Sequence, residues 1–402
     1  MKKILSIAKF FCKLKLKYSL PSKIEFLVLD NVSSEKLNYV IDNNSKFILP
    51  IRFFSETKEL YVNRQIIGYF LNFYILNGQK FFTAYLASVI KYINPKVAIT
   101  FIDNSYKFSD LAKILHKDYP FIAVQQSSRY DFARHKYELK RKLRKENLLK
   151  NFFIPNLLCF GQHEIDDYKK YKLNIGKFFK VGSLSLANAF FYFKKKNIKI
   201  KKNKYDICIA SDDGIGLNKT YKKKNIEEKY FLMTKYVIKY CMKFNKSFIF
   251  AWRREKKEPF KQEYNAYKKH LSKKEFQFLL NNSIYRNSKK KTTYKAVLQS
   301  NVVVGVATTL LREKLATRGK ILSCNFTNLN IYNFPINGFF NLNKDNYKLF
   351  EKKLKKIYEM SNKEFNKKLG KKGEYLINLT NDKNIPLIKN EVIKIIDEHR
   401  IR

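Results

Sequence analysis

Residues 300–325 read SNVVVGVATTLLREKLATRGKILSCN. An apolar run ends at Gly305, Thr308 or Thr309 offers a side-chain cap, a helical stretch follows to about Gly319, and a second apolar run begins at Lys320. The stretch therefore predicts a strand, a helix and a strand in sequence. Free backbone N–H groups at the start of such a helix form an anion site that a diphosphate fits. Glu313, four residues after Thr309, shares its helix face one turn deeper and is placed to accept hydrogen bonds from a ribose or sugar hydroxyl. The plainer alternative is an ordinary capped βα unit with a surface glutamate.

The same alternation extends outward along the chain. In the second half, 205–210, 247–252, 282–286, 301–306 and 320–326 read as strands with helical segments between them. In the first half the strands are expected at 24–30, 46–51, 96–102, 121–125, 156–161 and 178–183. Repeated βα units imply parallel, doubly wound sheets. The expected fold class is α/β, with two Rossmann-like parallel-sheet domains facing a cleft. The boundaries expected are a basic amphipathic segment at 1–22, a first domain at 23–192, a lysine-rich linker at 193–204, a second domain at 205–383 and a terminal helix at 384–402 that can cross back onto the first domain.

Ligands in open α/β sheets bind at the carboxyl ends of the strands, so the residues just past each strand are the candidates. PKVAITFIDNSYKF, residues 95–108, delivers Asp103 and Asn104 to such an end, and VQQSSRYD, residues 124–131, delivers Gln126 and Arg129. If these strands are parallel neighbours, an acid, amides and a guanidinium converge on one sheet edge, a set suited to hydroxyl-rich or acidic sugars. A buried Asp–Arg pair tying two loops would look the same. AWRREKK, residues 251–257, places Arg253 and Arg254 past a strand of the second half, where guanidinium groups can pair with phosphate oxygens. ASDDGIG, residues 210–216, offers Asp212 as a general base, with Asp213 read as part of an Asp-Gly turn. Its glycines do not make a dinucleotide fingerprint.

Composition bounds these readings. The chain has 402 residues, 45% of them hydrophobic, which makes it globular and long enough for two or three domains. Lys and Arg number 82 against 34 Asp and Glu, a formal net charge of +48 that attracts polyanions. The joint richness in Lys, Asn, Ile, Phe and Tyr looks like the drift of an AT-rich genome, so charge alone does not indicate nucleic acid. Five scattered cysteines without a C-x-x-C pair read as buried, reduced thiols and a cytoplasmic compartment. His135 and His163 lie near strand ends but share no metal-ligand spacing with Cys or carboxylates, so no metal is expected. No run approaches the ~20 apolar residues of a membrane span. At the start, Ile4, Ile7, Phe10, Phe11 and Leu14 oppose Lys3, Lys9 and Lys13, a pattern suited to an anionic membrane surface or to packing on the rest of the protein.

Taken in order, PKVAITFIDNSYKFSDLAK, FIAVQQSSR, LLCFGQHEIDDYKKY, KVGSLS and the 300–325 unit resemble the bacterial surface carbohydrate biosynthesis proteins, which are similar to GT-B glycosyltransferases. The resemblance spans residues 24–330. It departs at Gln125-Gln126-Ser127 before Arg129, where Gln-Asn-Gly followed by Arg is the expected pattern. It implies a nucleotide-sugar donor in the second domain, a glycan or lipid-linked glycan acceptor in the first, no metal and no cofactor beyond the substrate. Arg253, Arg254, Thr308, Thr309 and Glu313 would then bind the donor, Asn104, Gln126 and Arg129 the acceptor, and Asp103 or Asp212 would act as base. The implied setting is cytoplasmic, peripheral on the inner face of the membrane. Two rivals stay open: transfer of a polyol phosphate from a cytidine diphosphate donor, and a non-catalytic polyanion-binding protein, the latter ranked last because the aromatics fall mostly inside strands and helices; nucleic acid is not an expected partner.

Overall fold

A computed structural model describes the chain apart from residues 1–13, 21–23, 32, 53–58, 128–151, 213, 222–223, 257, 307 and 402. The first half contains strands β1 (Lys15–Lys17), β2 (Phe26–Leu29), β3 (Lys46–Leu49), β4 (Glu59–Tyr61), β5 (Val97–Thr100), β6 (Phe121–Val124), β7 (Phe153–Cys159) and β8 (Asn174–Lys180). The second half contains β9 (Tyr205–Ala210), β10 (Phe248–Ala251), β11 (Ser283–Ile284), β12 (Ser300–Gly305), β13 (Lys320–Cys324) and β14 (Asn341–Leu342). Two six-stranded sheets result, ordered β3-β2-β5-β6-β7-β8 and β11-β10-β9-β12-β13-β14, while β1 and β4 pair by themselves. Every pairing is parallel.

The central strands explain the parallel arrangement. All four residues of β5, of β6 and of β10 are buried, because helices cover both faces of each sheet. Sequence periodicity misplaces the edges instead. β8 was expected at 178–183 and runs from Asn174 to Lys180, since an edge strand leaves Asn174, Lys177 and Lys180 exposed and so lacks an apolar run. β1, β4 and β14, at two or three residues each, carry too little pattern to be read.

Strand order fixes where each sheet can open. Winding reverses between β2 and β5 in the first sheet and between β9 and β12 in the second, and a crevice forms at such a switch point. We refer to the halves built on the two sheets as the first and second lobes. Phe160, Leu186, Ala189, Phe193, Leu298, Ala316 and Ile377 form one apolar cluster across their junction. The chain then returns from the second lobe to the first. The Thr380 N–H donates to the Ala316 carbonyl, the Asn378 N–H donates to the Phe160 carbonyl, and the helix Asn384–Arg400 packs Ile388, Val392 and Ile395 against β2 and β5.

Candidate functional site

A cleft of about 550 Å³ lies between the lobes. The second lobe contributes the ends of four strands: Ser211 and Asp212 after β9, Arg253 after β10, Arg286 after β11, and Thr308 and Thr309 after β12. The first lobe faces them with Glu35 and Lys36 after β2, Gln126 and Ser127 after β6, and Ser185 after β8.

Local structure holds the second-lobe wall. Thr308 has extended backbone and caps the helix Thr309–Ala316, its hydroxyl accepting from the Leu310 N–H at 3.4 Å. The helix start therefore points into the cleft with its positive end. Arg253 is aimed from the turn after β10, and that turn is fixed by Glu263, whose carboxylate accepts the N–H groups of Arg253 at 3.2 Å and Arg254 at 3.1 Å. The Ser211 hydroxyl donates to the same carboxylate, and burial holds Glu263 above the ordinary carboxylate range. Arg253 Nη1 lies 3.3 Å from Asp212 Oδ1, and Arg286 Nη1 donates to the Arg253 carbonyl at 2.9 Å.

The charge balance of the cleft is positive. Lys36, Arg253, Arg286 and Lys291 line it against the carboxylates of Glu35, Asp212 and Glu313. Burial, and next the neighbouring Arg286, push Lys36 down to about 8. Burial also lowers Lys291, with Arg286 contributing. Glu313 is pushed up to about 7 by burial, so it carries only part of its negative charge at neutral pH. Cations that depress one another are favoured by any anion that enters.

Of the residues singled out from sequence, Asp212, Arg253, Thr308, Thr309, Glu313 and Gln126 line the cleft together. Arg254 sits in the same turn but is not on the cleft wall. Asp103 is buried behind it, accepting from the Gln126 N–H and the Tyr168 hydroxyl, both at 3.3 Å. Asn104, beside it, is likewise away from the wall. Arg129, Asp213 and His135 lie outside the described residues.

Glu313 lines the cleft, and its carboxylate is already held by protein hydroxyls. Its Oε1 accepts from the Ser183 hydroxyl at 2.5 Å and the Tyr294 hydroxyl at 3.0 Å, so it joins the helix Thr309–Ala316 to the first lobe. Its neighbour Arg312 does the same with a fork: Nη1 lies 2.6 Å from Glu164 Oε1 and Nη2 donates to Oε2 at 2.8 Å, with both side chains fully buried. Glu164 is pulled down to about 2, its pairing with Arg312 overcoming the opposing effect of burial. Gly182 makes the approach feasible. It takes a positive φ of 76° and lies so close to Thr380 that a side chain there would collide.

Sequence reasoning missed Lys36, Arg286, Lys291 and the lobe-joining pair. Arg286 had a legible signal, since it follows a strand as Arg253 does. Lys36 and Lys291 stand in no motif and are lost among the chain's many lysines. Among the described residues no group of three or more His, Cys, Asp or Glu is arranged to hold a metal ion, and no helix is long and apolar enough to cross a membrane. The cysteines at 159, 208, 241 and 324 are buried.

A solved structure shares this architecture. The UDP-GlcNAc 2-epimerase of Neisseria meningitidis, determined with UDP-GlcNAc bound, superposes with a TM-score of 0.51 at 10% identity, covering 93% of this chain and all 100% of that one. The fold is GT-B-like. A wall teichoic acid polymerase, TagF, gives a TM-score of 0.49 at 9% identity over 98% of this chain and 93% of its own. At such identities the likeness extends to the fold alone. No protein-family model matches the sequence, and no curated protein matches it either.

Proposed function

We propose that this protein is a glycosyltransferase that moves a sugar from a nucleotide-sugar donor to a glycan or lipid-linked glycan acceptor. One observation carries the reading. The switch point of the second sheet opens a capped helix start and a set of mutually repelling cations into one gap, directly across from hydroxyl and amide groups of the other lobe. A diphosphate satisfies the first wall and a polyhydroxyl acceptor the second. The meningococcal neighbour of the same fold holds a nucleotide sugar, which supports the donor class.

In this reading the Thr309 end of the helix and the side chains of Arg253, Arg286 and Lys291 bind the diphosphate and stabilise the charge that grows on it as the glycosidic bond breaks. Gln126, Ser127 and Ser185 orient the acceptor. Asp212 stands on the cleft wall, whereas Asp103 does not, so acceptor deprotonation is assigned to Asp212. Asp103 keeps the Gln126 loop in place.

The test is thermal unfolding against a panel of nucleotide sugars and free nucleoside diphosphates. A ligand at 100 times its Kd stabilises the folded chain by about 2.7 kcal/mol. At least one nucleotide is expected to do so, and a flat response to all of them would remove the proposal. Product analysis then separates sugar transfer from epimerisation of the donor and from transfer of a polyol phosphate, the last by phosphorus in the product.

A further inference from the structure

We propose that the outer face of the first lobe around residues 64–82 docks on an anionic lipid surface. Seven of the fifteen large hydrophobic side chains left exposed among the described residues fall within residues 67–81. Ile75 and Leu76 are 65% and 76% exposed, and Phe81 is 50% exposed. Such a concentration marks an interaction surface, whereas single exposed apolar residues do not.

The face is rigidly built. Asn63 caps the helix Arg64–Leu71 by accepting from the Ile66 N–H at 2.8 Å, and the helix runs on into a π turn over Asn72–Leu76. Phe70 stacks on Tyr74 at 5.3 Å, and both rings meet Phe81 edge-on. Core packing does not account for these side chains. Ile66 is the one buried residue of the helix, and the π turn buries none.

Charge identifies the occupant. Residues 60–102 contain no Asp or Glu; of their four cations, Lys91 and Lys96 pair with Asp118 and Glu25 at the far end of the helix Phe81–Ile93, which leaves Arg64 and Lys80 beside the face. Lys107 stands over the Phe82 ring at 5.5 Å, and a groove of about 580 Å³ beside the π turn carries Lys80 and Lys113 against the single carboxylate of Asp110. Aromatic and aliphatic tips ringed by ammonium groups suit the boundary between acyl chains and anionic headgroups. The chain is continuous with this face through β1, where exposed Leu16 and Tyr18 lie within the basic amphipathic segment expected at 1–22, whose residues 1–13 are outside the described residues. β1 pairs with β4, which ends three residues before the helix Arg64–Leu71.

Orientation links the face to the cleft. The helix Phe81–Ile93 enters β5 through residues 94–96, so it runs antiparallel to the strands and begins at their carboxyl edge. Lys107, just past β5, reaches Phe82 at that edge. Docking there would bring the open edge of the first lobe to a membrane-held acceptor, a consequence that rests on the transferase reading; the docking itself does not.

The test is flotation of the full chain with vesicles of phosphatidylcholine alone or mixed with phosphatidylglycerol. Binding to the mixed vesicles is expected to persist at about 0.5 M salt, where exposed charges are screened to a few ångströms and apolar insertion must hold the protein. Ile75→Asp combined with Leu76→Asp should reduce this salt-resistant binding by about tenfold or more. Met242→Asp, at an exposed apolar site on the second lobe, should leave it unchanged. Stabilisation by nucleotide should survive in the double variant, which keeps this outcome separate from that of the transferase proposal. A reporter variant, Leu76→Trp, should shift its emission to the blue with the mixed vesicles. The proposal is overturned if the double variant floats like the parent at high salt, if the parent never binds the mixed vesicles, or if the double substitution turns an oligomer into a monomer.

Discussion

The two sheets present the same topological feature and use it in opposite ways. At the switch point of the second, Asp212, Thr308 and Thr309 line the open cleft. At that of the first, the corresponding polar groups are turned into the protein. The Thr100 hydroxyl donates to the Leu29 carbonyl at 2.8 Å, Asp30 pairs with Arg52 at 3.0 Å, and Asp103 accepts from Gln126 and Tyr168. A strand's carboxyl end is therefore only an opportunity. Whether it becomes a binding wall depends on whether neighbouring loops supply partners first, and here the helix Gln162–Lys170 supplies Tyr168 to the first lobe.

The contact that holds these unlike lobes together gives the largest expected effect. Arg312→Ala leaves Glu164 charged, buried and without its guanidinium, and should cost about 3–5 kcal/mol of stability in a denaturant titration. Replacing both partners with methionine should recover most of that loss, because the desolvation cost disappears with the pair. Full recovery failing in the double variant would show that the fork itself, through its further bond to the Leu376 carbonyl, organises the junction.

Glu313 and Glu164 sit at the same junction with opposite acid–base behaviour. Glu164, held at about 2, stabilises the fold above the ordinary carboxyl pKa, and that contribution is lost as pH falls from about 4.5 towards 2. Glu313, raised to about 7, binds its proton more tightly in the folded chain. Its contribution is complete below about 4.5 and fades as pH rises through 7. Glu313→Gln should thus flatten the stability profile between these values, by an amount on the order of 3 kcal/mol. Unfolding followed at pH 4.5, 6 and 7.5 checks the sign; a profile unchanged by the substitution would mean that the carboxylate is ionised throughout.

The next effect down addresses the sealed switch point. Asp103→Ala strands the Tyr168 hydroxyl and the Gln126 N–H, a loss of about 1–3 kcal/mol. The nucleotide response of the variant should match the parent's. Weakened nucleotide binding at unchanged stability would reverse the comparison and return Asp103 to the chemistry.

How much of this could be read beforehand follows from the same distinction. The parallel α/β architecture was legible because β5, β6 and β12 are apolar on both faces, and the Thr308 cap because a hydroxyl at a strand-to-helix step has few other uses. Edges were not, since β8 carries no continuous apolar run and β14 has two residues. For the site, the strand-end rule located Asp212 and Arg253 but could not separate them from Asp103, whose fate depends on Tyr168, 65 residues away. Nor could helix spacing show that Glu313 meets Ser183, 130 residues away, because local periodicity carries no information about which lobe a face will meet.

The smallest effect is also the most discriminating. Arg253 is partly exposed, and its pairing with Asp212 spans 3.3 Å at the surface of the cleft, so Arg253→Ala should change stability by no more than about 0.5 kcal/mol. Its guanidinium lies on the wall where a diphosphate would rest, so the same substitution should raise the nucleotide Kd about tenfold, equivalent to about 1.4 kcal/mol. Arg253→Lys should recover part of the loss, since a single ammonium retains the charge but cannot grip two oxygens at once. Asp103→Ala and Arg253→Ala thus form a crossed pair, one expected to lower stability alone and the other affinity alone. If titration calorimetry finds the affinity of Arg253→Ala equal to the parent's, the second switch point is as closed to ligands as the first, and the open wall has no diphosphate to hold.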